Sequence, residues 1–257
     1  MKKSVIVFYD SGVGGLTTLS LVRKFFPNEN FLYFADDVNC PYGNRTKAEI
    51  NYFVKNNIDF ILSKFEIKLF VFACNTATAC CVENVRKNYL FNVVGIEPAI
   101  KPAIKNSRNK KILALMTKLT ASQEKYKKLI EENKEVVYTL GLSNLANDID
   151  NSLMGDRELS EISLKEIEDV LTKNNEIGAI VLGCTHYVYL KERIEKEFKI
   201  KTFDGNDGVR KRVEFLLKKN KLFNNKDFKG ELIIMLSSFD KNKQKQYKKI
   251  YNNIKIY

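Results

Sequence analysis

Short apolar runs alternate with longer amphipathic segments along almost the whole chain, and this alternation constrains the fold more than any other feature. Runs at residues 4–9, 31–35, 69–73, 93–96, 111–116, 135–140, 179–183, 200–203 and 231–236 have the length and composition of strands. Between most of them lie 10 to 20 residues of helical periodicity, such as KAEINYFVKNNIDFILSKF at 47–65. Strand and helix in alternation imply βαβ units, so the chain is expected to be α/β with mostly parallel sheets.

The alternation also repeats itself. LFVFACNTATA (69–79) and AIVLGCTHYVY (179–189) share one layout: an apolar run, a small residue, a cysteine, then polar residues opening a helix. Their cysteines, Cys74 and Cys184, stand 110 positions apart, and the first-strand ends Asp10 and Thr117 stand 107 apart. The runs at 31–35 and 135–140 fit a similar offset. One unit used twice predicts two similar, mostly parallel-sheet α/β domains in a pseudo-twofold arrangement, with an active site in the cleft between them. Pro98 and Pro102 punctuate the stretch IEPAIKPAIKNSRNK (96–110), where the break is expected. Residues after about 203 have no counterpart in the repeat and should pack back on the first half. The expected domains are therefore 1–97 with 206–257, and 98–205.

Composition narrows the partners. The length of 257 residues suffices for one large or two small cores, and 44% hydrophobic with 29% charged residues describes a folded chain. Lys and Arg number 43 against 31 Asp and Glu. Nucleic acid is one explanation of that balance. The other is a Lys- and Asn-rich surface spread over solvated helix faces, as in EKYKKLIEENK and DKNKQKQYKKIYNNIKIY. No basic run interleaves with aromatics as a binding platform would, so nucleic acid is not the expected partner. A diffuse positive field would still attract a small anion. Five cysteines without a signal peptide argue against a disulfide framework, because the apolar run from Val5 to Tyr9 ends at Asp10 and reads as a first strand. No run reaches 18 apolar residues, so no membrane span is expected, and reduced thiols in the cytoplasm are.

Ligands of open parallel sheets bind beyond the carboxyl ends of the strands. Four polar clusters are expected there: DSGVGGLT (10–17), DDVNCPYGNRT (36–46), CNTAT (74–78) and CTH (184–186). DSGVGG offers backbone N–H groups before a helix, which suits an anion. It lacks the third glycine of a dinucleotide fingerprint, since position 17 is Thr, and no Gly-Lys-Ser/Thr follows as in a P-loop. A tight strand-to-helix turn explains it equally well.

Cys74 and Cys184 each end a strand and open a helix, where the helix dipole favours a thiolate. A lone cysteine there is usually a small core residue, and Cys80 and Cys81 are read that way. Cys40, in the Pro-Tyr-Gly loop, receives no role. Cys74, Cys184 and the single histidine, His186, could ligate a metal, but the paired local spacings of zinc sites are absent and none is expected. A Cys-His hydrolase would leave the second thiol unexplained. Two thiols on opposite walls of a cleft fit proton transfer in two directions, one taking a proton from carbon and the other delivering one to the opposite face. They must start in opposite protonation states, with Asp10 as candidate partner of Cys74 and His186 of Cys184. No cofactor is signalled, so electrostatics must make the carbon acid reactive.

Together the motifs DSGVGGLT, PYG, ACNTATA and GCTHY, in this order and spacing, resemble the cofactor-independent glutamate racemases of the aspartate/glutamate racemase superfamily. Weaker matches are GIEP (95–98), Thr117-x-x-Thr120 and SSFDKNKQKQYKKI near the end. The resemblance covers essentially the whole chain. It implies interconversion of L- and D-glutamate, supply of D-glutamate to peptidoglycan, and a homodimer. It makes Cys74 and Cys184 the acid/base thiols, and Asp10, Ser11, Tyr42, Gly43, Asn75, Thr76, Thr117, Thr185 and His186 substrate-binding. The chain departs from the family pattern at several points. Asn39 stands where Arg is usual, Ala35 and Met116 replace glycines, and Val188, Tyr189 and Leu190 replace Pro-Leu-Leu. The Cys-Pro segment usual near 141–150 is absent, with Asp150 at a Glu position. A sister racemase for aspartate or another amino acid, and a nucleic-acid-binding or amino-acid-sensing protein with a decayed site, remain open alternatives.

Overall fold

The computed structural model describes residues 2–107, 110–155, 158–225 and 227–254. Arg108 and Asn109, inside the stretch expected to hold the break, lie outside the described residues, as do the last three residues of the Lys-rich C-terminal stretch. In chain order the elements are β1 (Lys3–Asp10), α1 (Leu16–Phe25), β2 (Phe31–Ala35), α2 (Lys47–Lys64), β3 (Phe65–Phe72), α3 (Asn75–Asn88), β4 (Asn92–Gly95) and α4 (Ile100–Asn106). Then follow β5 (Lys111–Thr117), α5 (Lys118–Ser122), α6 (Glu124–Ile130), β6 (Val137–Leu142), α7 (Leu145–Met154), α8 (Lys165–Lys173) and β7 (Ile177–Leu182). The chain ends with α9 (Lys191–Phe198), β8 (Thr202–Asp204), α10 (Asn206–Lys219), β9 (Leu232–Leu236) and α11 (Lys241–Asn253).

Two sheets result, ordered β4-β3-β1-β2-β9 and β6-β5-β7-β8, and every pairing in both is parallel. Read from the other edge, the second sheet runs β8-β7-β5-β6, the order of the first without β9. Even a local irregularity recurs: the β1–β3 register shifts between Val5 and Ile6, and the β5–β7 register between Lys111 and Ile112. The repeat in sequence is thus a repeat in topology, with β9 added to the edge of the first sheet.

Parallel sheets covered by crossover helices bury both faces, which is why their strands are continuous apolar runs. β1 is the clearest case: Val5 through Tyr9 are fully buried. Its even-numbered residues Ile6 and Phe8 enter a cluster with α1 and α10, and its odd-numbered Val5, Val7 and Tyr9 enter one with α2 and α3. The second sheet divides its strands between two further clusters in the same way. Each buried Val, Ile, Leu or Phe contributes about 1.5–3 kcal/mol. The C-terminal segment returns to the first sheet, where β9 pairs with β2 and α10 packs on α1.

Four strands start two or more residues from their sequence expectation: β3 at Phe65 rather than 69 and β7 at Ile177 rather than 179, both earlier, and β6 and β8 later. β6 starts at Val137 rather than 135, because Val136 N–H closes a turn on Asn133 O (3.0 Å). β8 starts at Thr202 rather than 200, because Lys199 ends α9 in the left-handed region (φ 55°) and the chain must first turn back. No helix among the described residues is long and apolar enough to cross a membrane.

Candidate active site

The carboxyl ends of β1, β3, β5 and β7 meet where the two sheets face each other. β1 delivers Asp10, fully buried, at the mouth of the Ser11–Gly15 loop. Gly12 N–H donates to Asp10 Oδ1 (2.8 Å), and the Thr185 hydroxyl donates to Oδ2 (3.4 Å) from the other sheet's loop. Burial raises the Asp10 carboxyl to about 6, against the opposing pull of His186 and of the Gly12 and Gly15 N–H groups. Gly14 explains how the two loops come so close. A Cβ there would sit 2.6 Å from both His186 Nδ1 and Thr185 Oγ1, so a side chain would force the halves apart.

β3 delivers Cys74. Its Sγ accepts from Ala77 N–H (3.4 Å), so the thiol caps the N-terminus of α3, and Ser11 Oγ lies 3.8 Å away. The helix end was expected to favour a thiolate here. In the closed site the balance goes the other way: burial, then the Asp10 charge, push the Cys74 thiol well up, and the Ala77 and Ser11 bonds offset only part.

β7 delivers Cys184, whose Sγ lies 3.9 Å from His186 Nδ1. What opens after Cys184 is not the expected α-helix but a 3-10 run, Thr185–Leu190, that leads into α9. This tight run turns His186 back toward the sheet end. The far ring nitrogen, Nε2, lies 3.2 Å from Asp150 Oδ1 on α7. Burial works against a charged imidazole, yet the bonds to Asp150 and Cys184 outweigh it and hold His186 well above the usual histidine range. Burial likewise opposes the Asp150 anion, but His186, Val13 N–H and Lys243 hold it below the usual carboxylate range.

The remaining sequence candidates gather around this centre. Thr76 on α3, with Thr117 at the end of β5 and Thr120 on α5, forms a buried hydroxyl triangle with edges of 2.9–3.1 Å that joins the two halves. A Cβ on Gly43 would lie 3.0 Å from Thr117 Cγ2, so the Pro-Tyr-Gly loop rests directly on β5. Asn75 opens α3 and is buried. Tyr42 is placed differently from a free ligand-binding phenol. Its hydroxyl donates to Asp36 Oδ2 (2.6 Å) and lies 2.5 Å from the Tyr9 hydroxyl, a partner reached in turn by Asn57 (2.9 Å). Asn39, which replaces the usual Arg, donates to both Asp36 oxygens (3.0 and 3.1 Å).

Sequence reasoning gave no role to Cys40, Asp36 or Tyr189, and saw Asp150 only as a departure. Asp150 and Tyr189 act through partners distant in sequence, and the Asp36 carboxylate through Tyr42 and Asn39 close by. Tyr189 shows what the altered Val-Tyr-Leu segment does: its hydroxyl crosses to Val13 O in the glycine-rich loop (3.0 Å). Tyr189 also borders a groove of about 960 Å³, together with Thr17, Leu153, Asn206 and Ile250. Neither strand-end thiol lines that groove. Both thiols are enclosed, at 7% and 5% exposure, so the chemical centre is closed in this conformation.

The Asp/Glu/Hydantoin racemase family profile matches residues 19–209. The glutamate racemase of Halothermothrix orenii is 35% identical over 97% of this chain and 99% of its own length. That of Clostridium botulinum strain Alaska E43 is 37% identical over 92% and 93%. Among solved structures, Escherichia coli glutamate racemase in complex with L-glutamate and the activator UDP-MurNAc-ala superposes with a TM-score of 0.80 at 26% identity, covering 96% of each chain. Glutamate racemase from Aquifex pyrophilus gives 0.75 at 30% identity, covering 100% of this chain and 97% of that one.

Proposed function

Because the chain belongs to the Asp/Glu/hydantoin racemase family, we propose that it interconverts L- and D-glutamate by a two-base reaction between Cys74 and Cys184. One observation carries this reading. Two buried thiols end equivalent strands of two repeated sheets, and their neighbours are electrically opposite: the Asp10 carboxylate beside Cys74 and the His186 imidazole, held charged by Asp150, beside Cys184. A two-base racemase needs that asymmetry, since one sulfur must start as base and the other as acid.

The thiolate takes the α-proton, the Cα–H bond breaks, and its electron pair spreads onto the α-carboxylate. The opposite S–H then donates to the other face of Cα and is left as thiolate, so the configuration inverts and no electrons are gained or lost. The residual problem is a weakly acidic carbon. Backbone N–H groups of the Ser11–Gly15 loop and the N-terminus of α3 are the preorganised donors for the developing charge. Asp10 and Thr185 are placed to receive the ammonium group, Ser11, Asn75, Thr76 and Thr117 the carboxylates, and the Tyr42–Gly43 loop closes over them from β5. With its hydroxyl bound to Asp36, Tyr42 serves by fixing that loop. Substrate entry requires the enclosed halves to part.

The same reading takes residues 1–97 with 206–257 and 98–205 as the two domains, and places a homodimer in the cytoplasm supplying D-glutamate to peptidoglycan. Proton NMR in D₂O tests the substrate: the α-proton of either glutamate enantiomer should wash out, and that of aspartate should persist. Exchange with aspartate and not with glutamate would replace this assignment.

A further inference from the structure

Cys40 has no part in the reaction above, yet it sits at the seam. Its Sγ, a carboxylate oxygen of Asp150 and a ring nitrogen of His186 lie within 4.8 Å of one another. They come from three separate segments: the loop after β2, helix α7 and the 3-10 run after β7. All three converge on the bare face of Gly12, where a Cβ would lie 2.7 Å from Asp150 Oδ1, 2.9 Å from Cys40 Sγ and 3.2 Å from His186 Nε2. From this convergence we infer that Cys40, Asp150 and His186 form an inhibitory binding site for a thiophilic divalent cation of the zinc type.

The donor set selects the ion. One sulfur, one imidazole nitrogen and one carboxylate oxygen suit Zn²⁺, whereas Mg²⁺ and Ca²⁺ require oxygen ligands. Zinc holds such donors tetrahedrally at about 2.0–2.3 Å, so two of them stand about 3.3–3.7 Å apart. A set already within 4.8 Å closes on the ion with a shift of about an ångström. The Asp150–His186 contact of 3.2 Å needs no shift at all. Cys40 is half-buried, which leaves the cation a way in. On binding, the Cys40 thiol and the His186 Nε2–H each release a proton to solvent, the sulfur coordinates as thiolate, and the ion takes the place of the proton between Asp150 and His186. Three protein ligands leave the fourth tetrahedral position to water.

Occupancy arrests the reaction through His186. With Nε2 coordinated, the imidazole keeps one proton, on Nδ1 facing Cys184 at 3.9 Å, and cannot take up a second. The partner of Cys184 is then frozen in one state, although neither reacting thiol is touched.

The test uses the whole chain with Co²⁺ and Zn²⁺ alone as probes. Co²⁺ should give a near-ultraviolet sulfur-to-metal charge-transfer band at one ion per chain, and Zn²⁺ should displace it. Cys40→Val and Cys40→Ala should lose the band and keep metal-free racemisation. Zinc should inhibit both variants about tenfold or more weakly, at least the loss that follows removal of an outer-shell metal partner. Mg²⁺ should do nothing. If the variants keep the band and the same zinc sensitivity, the ion binds the reacting thiols and the inference is wrong. It is also wrong if the wild-type chain binds no ion at micromolar concentration. The band is read without turnover, so this inference and the racemase assignment fail independently.

Discussion

His186 and Asp150 lock together within the second half, at its seam with the first, Nε2 to Oδ1 at 3.2 Å, with 4% and 19% of their side chains exposed. The pair is what keeps an imidazolium next to Cys184 at neutral pH. His186 is raised, so its contribution to stability is full below the unfolded histidine value of about 6.5 and is lost as pH rises through the folded value. Asp150 is lowered, so its contribution is present above about 3.9 and is lost in acid. Asp150→Asn should therefore lower stability most between these limits, by about 1–3 kcal/mol, with the difference fading in alkali. The single histidine makes the check direct. Its imidazole carbon resonances should titrate well above 6.5 in the wild type and fall toward or below it in Asp150→Asn; coincident titrations would remove Asp150 as the positioning residue.

Cys74→Ser and Cys184→Ser each leave one proton carrier in place. Loss of a general acid or base typically costs about 10²–10⁴-fold, and racemisation needs both thiols, so each variant should fall by at least that factor in both directions. Polarimetry from each enantiomer measures it. Near-wild-type rates in either variant would eliminate the two-base reaction.

These thiols were legible in sequence because the repeat displayed them: strand, small residue, cysteine, helix start, twice. The likeness of the two parallel sheets followed from the same repeat. Asp150 was not legible as a partner of His186, since it lies 36 positions away on an unremarkable helix and only the folding of α7 onto the 3-10 run joins them. The partner of the Tyr42 hydroxyl was not legible either. Sequence shows a tyrosine in a candidate ligand loop, and only the fold shows that the buried Asp36 accepts from its phenol. Strand ends slipped by two residues wherever a turn or a left-handed residue such as Lys199 delayed the extended backbone.

Asp10 should reverse the usual pH behaviour of a structural carboxylate. Its folded value of about 6 exceeds the ordinary aspartate value of 3.8, so the neutral form is favoured by folding. Its ionisation costs nothing in strong acid and progressively destabilises the fold as pH rises from about 4 through 6. Relative to the wild type, Asp10→Asn should gain about 2 kcal/mol of stability between pH 4 and pH 8, while losing racemisation. Urea denaturation at the two pH values gives the difference; a wild-type-to-variant gap that stays constant with pH would refute the buried-charge account.

Gly14 and Gly208 make a matched pair of glycines with opposite expectations. A methyl group on Gly14 meets His186 Nδ1 and Thr185 Oγ1 at 2.6 Å, both on the far side of the seam, whereas one on Gly208 in α10 meets nothing within 4 Å. Overpacking of a closed site costs about 1–3 kcal/mol, and here it also displaces the partner of Cys184. Gly14→Ala should therefore lower both stability and kcat. Gly208→Ala replaces a helical glycine in open space and should stabilise by about 0.5–1 kcal/mol with kcat unchanged. Thermal unfolding and steady-state racemisation of the two variants side by side decide the matter. If Gly14→Ala behaved like Gly208→Ala in both measurements, the close approach of the two loops would have no part in holding His186 beside Cys184.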